Sequence, residues 1–127
     1  MPVNLFQSRG DTIDYDYEND SLYFFTRGDE YKHSLNLDNI IIDFSKSNHI
    51  KGVEIQNASR RFDVRKYDLK KINNFNIKLN ISNEKIELEI TLTLNIRNQT
   101  ALKAMTAADI NEYNIPAGTM AMSCGVC

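Results

Sequence analysis

Glycine and proline are scarce in this chain, with 5 and 2 among 127 residues. No Gly/Ser/Pro-rich linker marks a boundary, so residues 1–127 read as a single domain. A glycine-rich phosphate loop and a nucleophile elbow are both missing, and no catalytic residue is nominated. Cysteine is limited to Cys124 and Cys127, so no disulfide framework staples the body. The longest apolar run is Leu22-Tyr23-Phe24-Phe25, far short of the roughly 20 residues a spanning helix needs. The opening residues reach Arg9 and Asp11 with no apolar stretch, so a secretory leader is not expected and a cytoplasmic location is. The triplets starting at Asn57, Asn80 and Asn98 are therefore read as products of an asparagine-rich composition, not glycosylation sites. Strong charge of either sign is lacking too: a formal net charge of -2 argues against a general polyanion binder.

What is present is a period of two. Ile86, Leu88, Ile90, Leu92, Leu94 and Ile96 alternate with Glu87, Glu89, Thr91, Thr93 and Asn95, the pattern of a strand with one dry face. Phe75, Ile77, Leu79 and Ile81 alternate in the same way, and Ser82-Asn83-Glu84-Lys85 reads as the hairpin loop between them. Pairing Ile81 with Ile86 sets Leu79 against Leu88, Ile77 against Ile90 and Lys78 against Glu89, each pair favourable. In the first half, strands are expected at 13–17, 22–26, 31–37, 40–44 and 49–56, as an antiparallel meander. Only 58–74 has helical character, with Asp63 and Asp68 as candidate caps and Val64, Tyr67, Leu69 and Ile72 as an apolar stripe. The fold class is thus α+β, mainly antiparallel sheet with one connecting helix.

Thr100–Ala108 favours helix by propensity. However, Leu92–Ile96 outruns its first partner, so a strand returning after Arg97-Asn98-Gln99, with Leu102 opposite Leu94, is expected.

Several clusters could carry chemistry. Asp14, Asp16, Glu18 and Asp20 are spaced like the start of a calcium loop, but neither register supplies the required glycine or the closing glutamate. They read as a hairpin whose Asp20 orders the turn, with a carboxylate site involving Asp43 or Glu54 as the sharper alternative. Cys124 and Cys127 have metal or redox spacing but make only half a zinc site, which His33 and His49, or the same pair of a second chain, could complete; a disordered tail is the plainer reading. Arg60, Arg61, Arg65, Lys66, Lys70 and Lys71 form a basic run. It reads as a solvated helix face balanced by the acidic Asp11–Glu30 segment, within one chain or across a dimer. Nucleic acid is not an expected partner, because few aromatics interleave these cations.

Tyr15-Asp16-Tyr17-Glu18-Asn19-Asp20-Ser21-Leu22-Tyr23, Ile40-Ile41-Ile42-Asp43, Ile50-Lys51-Gly52-Val53-Glu54-Ile55 and Asn57-Ala58-Ser59 together resemble the prokaryotic family known as domain of unknown function 2283. The likeness covers about residues 12–62 and departs at Asn48-His49, where the family often has a turn glycine. The remainder, 63–127, with helix, long hairpin and tail, is similar to archaeal members. The resemblance implies a small β-rich module without assigned activity, and toxin-like neighbours of some relatives make an antitoxin role thinkable.

The expectation is a non-enzymatic module without a cofactor or membrane contact. It is expected to self-associate as a homodimer through the second-half sheet, because a long strand there threatens to leave an open edge. The rival readings are an antitoxin-like protein partner and a small metal-binding protein using Cys124 and Cys127.

Overall fold

The computed structural model describes residues 5–28 and 30–124. In the first half the strands are β1 (Leu5–Gly10), β2 (Thr12–Asp16), β3 (Ser21–Phe25), β4 (Tyr31–Leu37), β5 (Ile40–Ser45) and β6 (Ile50–Ile55). A short helix α1 (Ala58–Phe62) and a 3₁₀ segment (Lys66–Lys70) follow. The second half adds β7 (Ile72–Ile81), β8 (Lys85–Ile96), β9 (Gln99–Ile110) and β10 (Gly118–Cys124). The α+β, mainly antiparallel class expected from the sequence is what is found.

The strands form two five-stranded sheets, ordered β2-β3-β6-β5-β4 and β1-β10-β7-β8-β9. Each turns its apolar side to the other, and one cluster of buried side chains joins them. Phe24 of β3 and Phe75 of β7 stack across the interface with ring centroids 4.3 Å apart. Truncating either ring would cost about 3–5 kcal/mol, as for other buried aromatics. Ser8 Oγ adds a polar tie, donating to the Ile50 carbonyl at 2.8 Å.

The meander holds for β4-β5-β6, but β3 lies against β6, not β4. The β2-β3 hairpin therefore sits on the far side of β6, in a Greek-key arrangement. The β7-β8 register is the expected one, from Ile81 opposite Ile86 through Lys78 opposite Glu89.

Three expectations are corrected. The helix expected over 58–74 is confined to 58–62: Asp63, left-handed at φ 55°, closes α1 by donating to carbonyls of its last turn. Ile72 already pairs with Leu94, so the need of β8 for a partner overrides the helical stripe. Thr100–Ala108 is a strand as expected, but Leu102 faces Thr93, not Leu94. Arg97 and Asn98, at φ 53° and 63°, make a two-residue turn, one residue tighter than the 97–99 loop. A one-residue slip turns every side chain over, and Leu102 is 69% exposed as a result. Finally, Cys124, read with Cys127 as part of a disordered tail, ends the strand β10, which lies parallel to β1 and antiparallel to β7, with Met122 fully buried. Cys127 lies outside the described residues.

Candidate interaction surface

β9 is the last strand of its sheet. Its alternation fixes what it presents: Met105 and Ala107 are buried against the core, while Thr100, Leu102, Ala104, Thr106, Ala108 and Ile110 point away from it. The backbone follows the same alternation. The tight turn makes Ile96–Gln99 a hydrogen-bonded pair, and Asn111 N donates to the Glu84 carbonyl at 3.0 Å. Odd-numbered residues of β9 therefore bond to β8, and even-numbered ones aim their N–H and C=O groups off the sheet. At Ile110 these groups are occupied, the N–H by Asp109 Oδ1 at 2.8 Å and the carbonyl by Glu112 N at 3.0 Å. Among the described residues, the outward backbone groups from Thr100 to Ala108 meet no partner. The open edge expected at β8 is thus closed by β9 and reappears on β9 itself.

Asn111 anchors the end of this strand. Its side chain is buried; Nδ2 donates to the Ser82 and Ile115 carbonyls at 2.9 Å, and Oδ1 accepts from Ile115 N at 3.0 Å. This clamp holds the segment 112–117 over a cleft of about 670 Å³. No feature of the sequence singled out Asn111 among 15 asparagines.

Two acids of the first hairpin, Asp16 and Asp20, are engaged within the fold. Asp16 accepts from the side-chain and backbone nitrogens of Asn19 at 2.7 and 3.2 Å, which holds its carboxyl below the usual range. Asp20 reaches beyond the turn to α1, accepting from Ser59 N at 3.1 Å and Ser59 Oγ at 2.6 Å, and from Tyr15 OH at 2.6 Å. It supplies the capping that Asn57, left-handed at φ 54°, does not make with its own side chain. Burial works against the charge on Asp20, but these hydrogen bonds outweigh it and its carboxyl titrates low. Burial, reinforced by Asp20, pushes the Tyr15 hydroxyl well above the ordinary phenol range.

Asp43 receives hydroxyls rather than forming a carboxylate cluster. Ser34 Oγ donates at 2.5 Å and Tyr23 OH at 3.2 Å, and burial followed by the Asp43 charge raises the Tyr23 hydroxyl to about 12. The basic run is largely spent inside the chain. Lys66 and Lys70 stand over the Tyr17 ring at 4.8 and 4.5 Å. Arg61 bridges Asp38 at 3.4 Å, and Arg65 forks onto buried Asp68, at 2.9 Å for the closer oxygen. The ion pairs thus fall on Asp38 and Asp68, outside the acidic Asp11–Glu30 segment, which the run meets through the Tyr17 ring.

His33 stacks on Phe44, with centroids 5.0 Å apart, and lines the cleft beside Gly118 at the start of β10. Cys124 ends that strand, six residues beyond Gly118. His49 N donates to Ser45 Oγ in the β5-β6 turn. Among the described residues, no group of three or more His, Cys, Asp or Glu side chains is arranged to hold a metal ion. Nor is any helix among them long and apolar enough to cross a membrane.

Comparison with known proteins places this geometry among relatives of similar length. A protein of Methanosarcina mazei named "Putative hypoxanthine phosphoribosyltransferase" is 38% identical over 106 residues, covering 84% of this chain and 86% of that protein. An uncharacterized protein of Methanocaldococcus jannaschii is 39% identical over 107 residues, covering 84% of this chain and 92% of the relative. No solved structure matches the chain. The family described as protein of unknown function (DUF2283) matches residues 12–59, the span holding the Asp20–Ser59 cap and the Tyr23–Asp43 contact. With that match and two relatives aligned over most of their length, the chain belongs to the DUF2283 family.

Proposed function

We propose that this protein is a non-enzymatic interaction module that works as a self-associated pair, joined through the open edge of β9. The observation carrying this reading is the edge itself. Its backbone groups from Thr100 to Ala108 are unpartnered among the described residues, and Leu102 and Ile110 flank them at 69% and 67% exposure. Natural proteins commonly block such an edge with proline, charge or a bulge, or else use it for pairing. Here the stretch Ala104–Ala108 contains only Ala, Met and Thr, which neither repel nor obstruct a neighbouring strand.

The phosphoribosyltransferase name of one relative finds no support in this chain. Holding a phosphorylated sugar calls for a backbone cradle or converging cations, and the sequence has no glycine-rich loop, while much of its basic run is committed to Tyr17, Asp38 and Asp68.

Light scattering on a size-exclusion column at micromolar concentration tests the proposal. The expected mass is twice 14.6 kDa, and Leu102→Glu should shift the elution toward the single chain without lowering the melting temperature. A wild-type mass of 14.6 kDa across the concentration range would overturn it.

A further inference from the structure

If the pair forms along β9, the strand's own sequence selects one register. The outward-facing backbone groups belong to even-numbered residues, so an antiparallel neighbour of the same sequence must set even against even. The pairing with Thr106 opposite itself satisfies this rule. Ala104 then meets Ala108 of the second copy, and Leu102 meets Ile110 of the second copy, so the two large exposed apolar side chains of the strand cover one another. Between them, on the opposite face, Lys103 meets Asp109 of the second copy in a non-hydrogen-bonded pair, where side chains approach most closely. The Asp109 carboxylate gives Oδ1 to its own Ile110 N–H, which leaves Oδ2 for the ammonium. Sliding by one rung in either direction forfeits these matches. Lys103 would then face Ala107 or Asn111, and Asp109 would face Ala101 or Met105.

We infer that the occupant of this edge is a second copy of the same chain, docked antiparallel with Thr106 on the two-fold axis and Lys103 paired with Asp109 of the other copy. This rests on the self-association reading and adds to it an isologous geometry that joins the two sheets into one continuous sheet. Leu102 and Ile110 supply apolar cover at both ends of the shared ladder, and the two symmetric ion pairs fix its register.

The test uses two single variants and their mixture. In Lys103→Glu, each introduced carboxylate would face Asp109 of its twin; in Asp109→Lys, each introduced ammonium would face Lys103 of its twin. Either variant alone should dimerise at least about tenfold more weakly, since two attractive cross-strand pairs become repulsive. Mixed in equal amounts, the two variants are complementary. One pair is then the native Lys103 with Asp109, and the other joins the two introduced side chains with their charges exchanged. The mixture should regain near wild-type association as a heterodimer, detected by native mass spectrometry. A wild-type dimer whose single variants associate unchanged, or whose mixture shows no recovery, would overturn the register and leave self-association standing. A wild type that stays monomeric would overturn both.

Discussion

Tyr23 of β3 lies across Gly52 of β6. A Cβ on Gly52 would stand 3.0 Å from the ring Cε1, 3.1 Å from the phenol oxygen and 3.1 Å from the Phe24 carbonyl oxygen. The missing side chain is what lets the phenol cross β6 and donate to Asp43 on β5, at 3.2 Å. Gly52→Ala should therefore cost about 1–2 kcal/mol, the lower part of the overpacking range, partly offset by the entropy recovered on removing a strand glycine. Urea denaturation measures the loss. The Tyr23 hydroxyl, held at about 12 in the wild type, should titrate closer to the ordinary phenol value once displaced from Asp43.

Asp20 links the first hairpin to α1, so its removal should be felt at both. Asp20→Asn is expected to lose about 1–3 kcal/mol at neutral pH, as charge-assisted hydrogen bonds are weakened. Its carboxyl titrates lower in the folded chain than in the unfolded one. The stabilisation is thus complete above the unfolded value near ~3.9 and disappears as pH falls through the folded value. Wild type and variant should converge in acid, and the gap should open as pH rises toward about 4 and stay constant above it. A gap of constant size from acid to neutral pH would assign the loss to something other than this carboxylate.

On β8, Leu88 is buried and its neighbour Glu87 is exposed, forming a surface ion pair with Lys85 at 3.1 Å. Leu88→Ala should cost about 2–5 kcal/mol, whereas Glu87→Ala should stay within about 0.5, as surface ion pairs contribute little. Comparable losses in chemical denaturation would mean that the outer face of β8 is covered.

Asn111 uses its amide as both donor and acceptor. Asn111→Asp keeps the shape but sets a second oxygen against the Ser82 and Ile115 carbonyls. A loss of about 2 kcal/mol or more is expected, because a buried acceptor pair is left without a proton. The loss should grow above about pH 4, where the introduced acid ionises. Hydrogen exchange at Ile115 N–H should accelerate in the same variant, since its acceptor is Asn111 Oδ1.

The β7-β8 hairpin was legible because three independent signals agreed: alternation, apolar pairing and the Lys78–Glu89 charge match. The register of β9 was not, because it hinged on a single residue of loop length. Arg97 and Asn98 both accept left-handed backbone, which an arginine does not advertise. β10 escaped notice for another reason. Its sequence, Gly118-Thr119-Met120-Ala121-Met122-Ser123-Cys124, is built of small and flexible residues without alternation, and its place is set by β1 and β7 on either side. The candidate surface was half visible: the sequence showed that a long strand would lack a partner, but which strand ends up at the edge followed from the Arg97-Asn98 turn. The basic run was readable as charge, while its clasp around Tyr17 needed the hairpin and the 3₁₀ segment to meet in space.

β10 is inserted between β1 and β7, and this sets a timetable for synthesis. β1 precedes the other described strands, yet its neighbour in the sheet is not made until residues 118–124. Until then β1 has no strand partner in its sheet, and β7 has one on the β8 side only. The sheet closes last at a contact joining strands more than 100 residues apart, and such distant pairings are slow to form. The β2-β3-β6-β5-β4 sheet carries no such delay, since its strands are complete by Ile55. It can form first and wait with its apolar face open until β7, β8 and β9 are made, which exposes the nascent chain to aggregation in that interval.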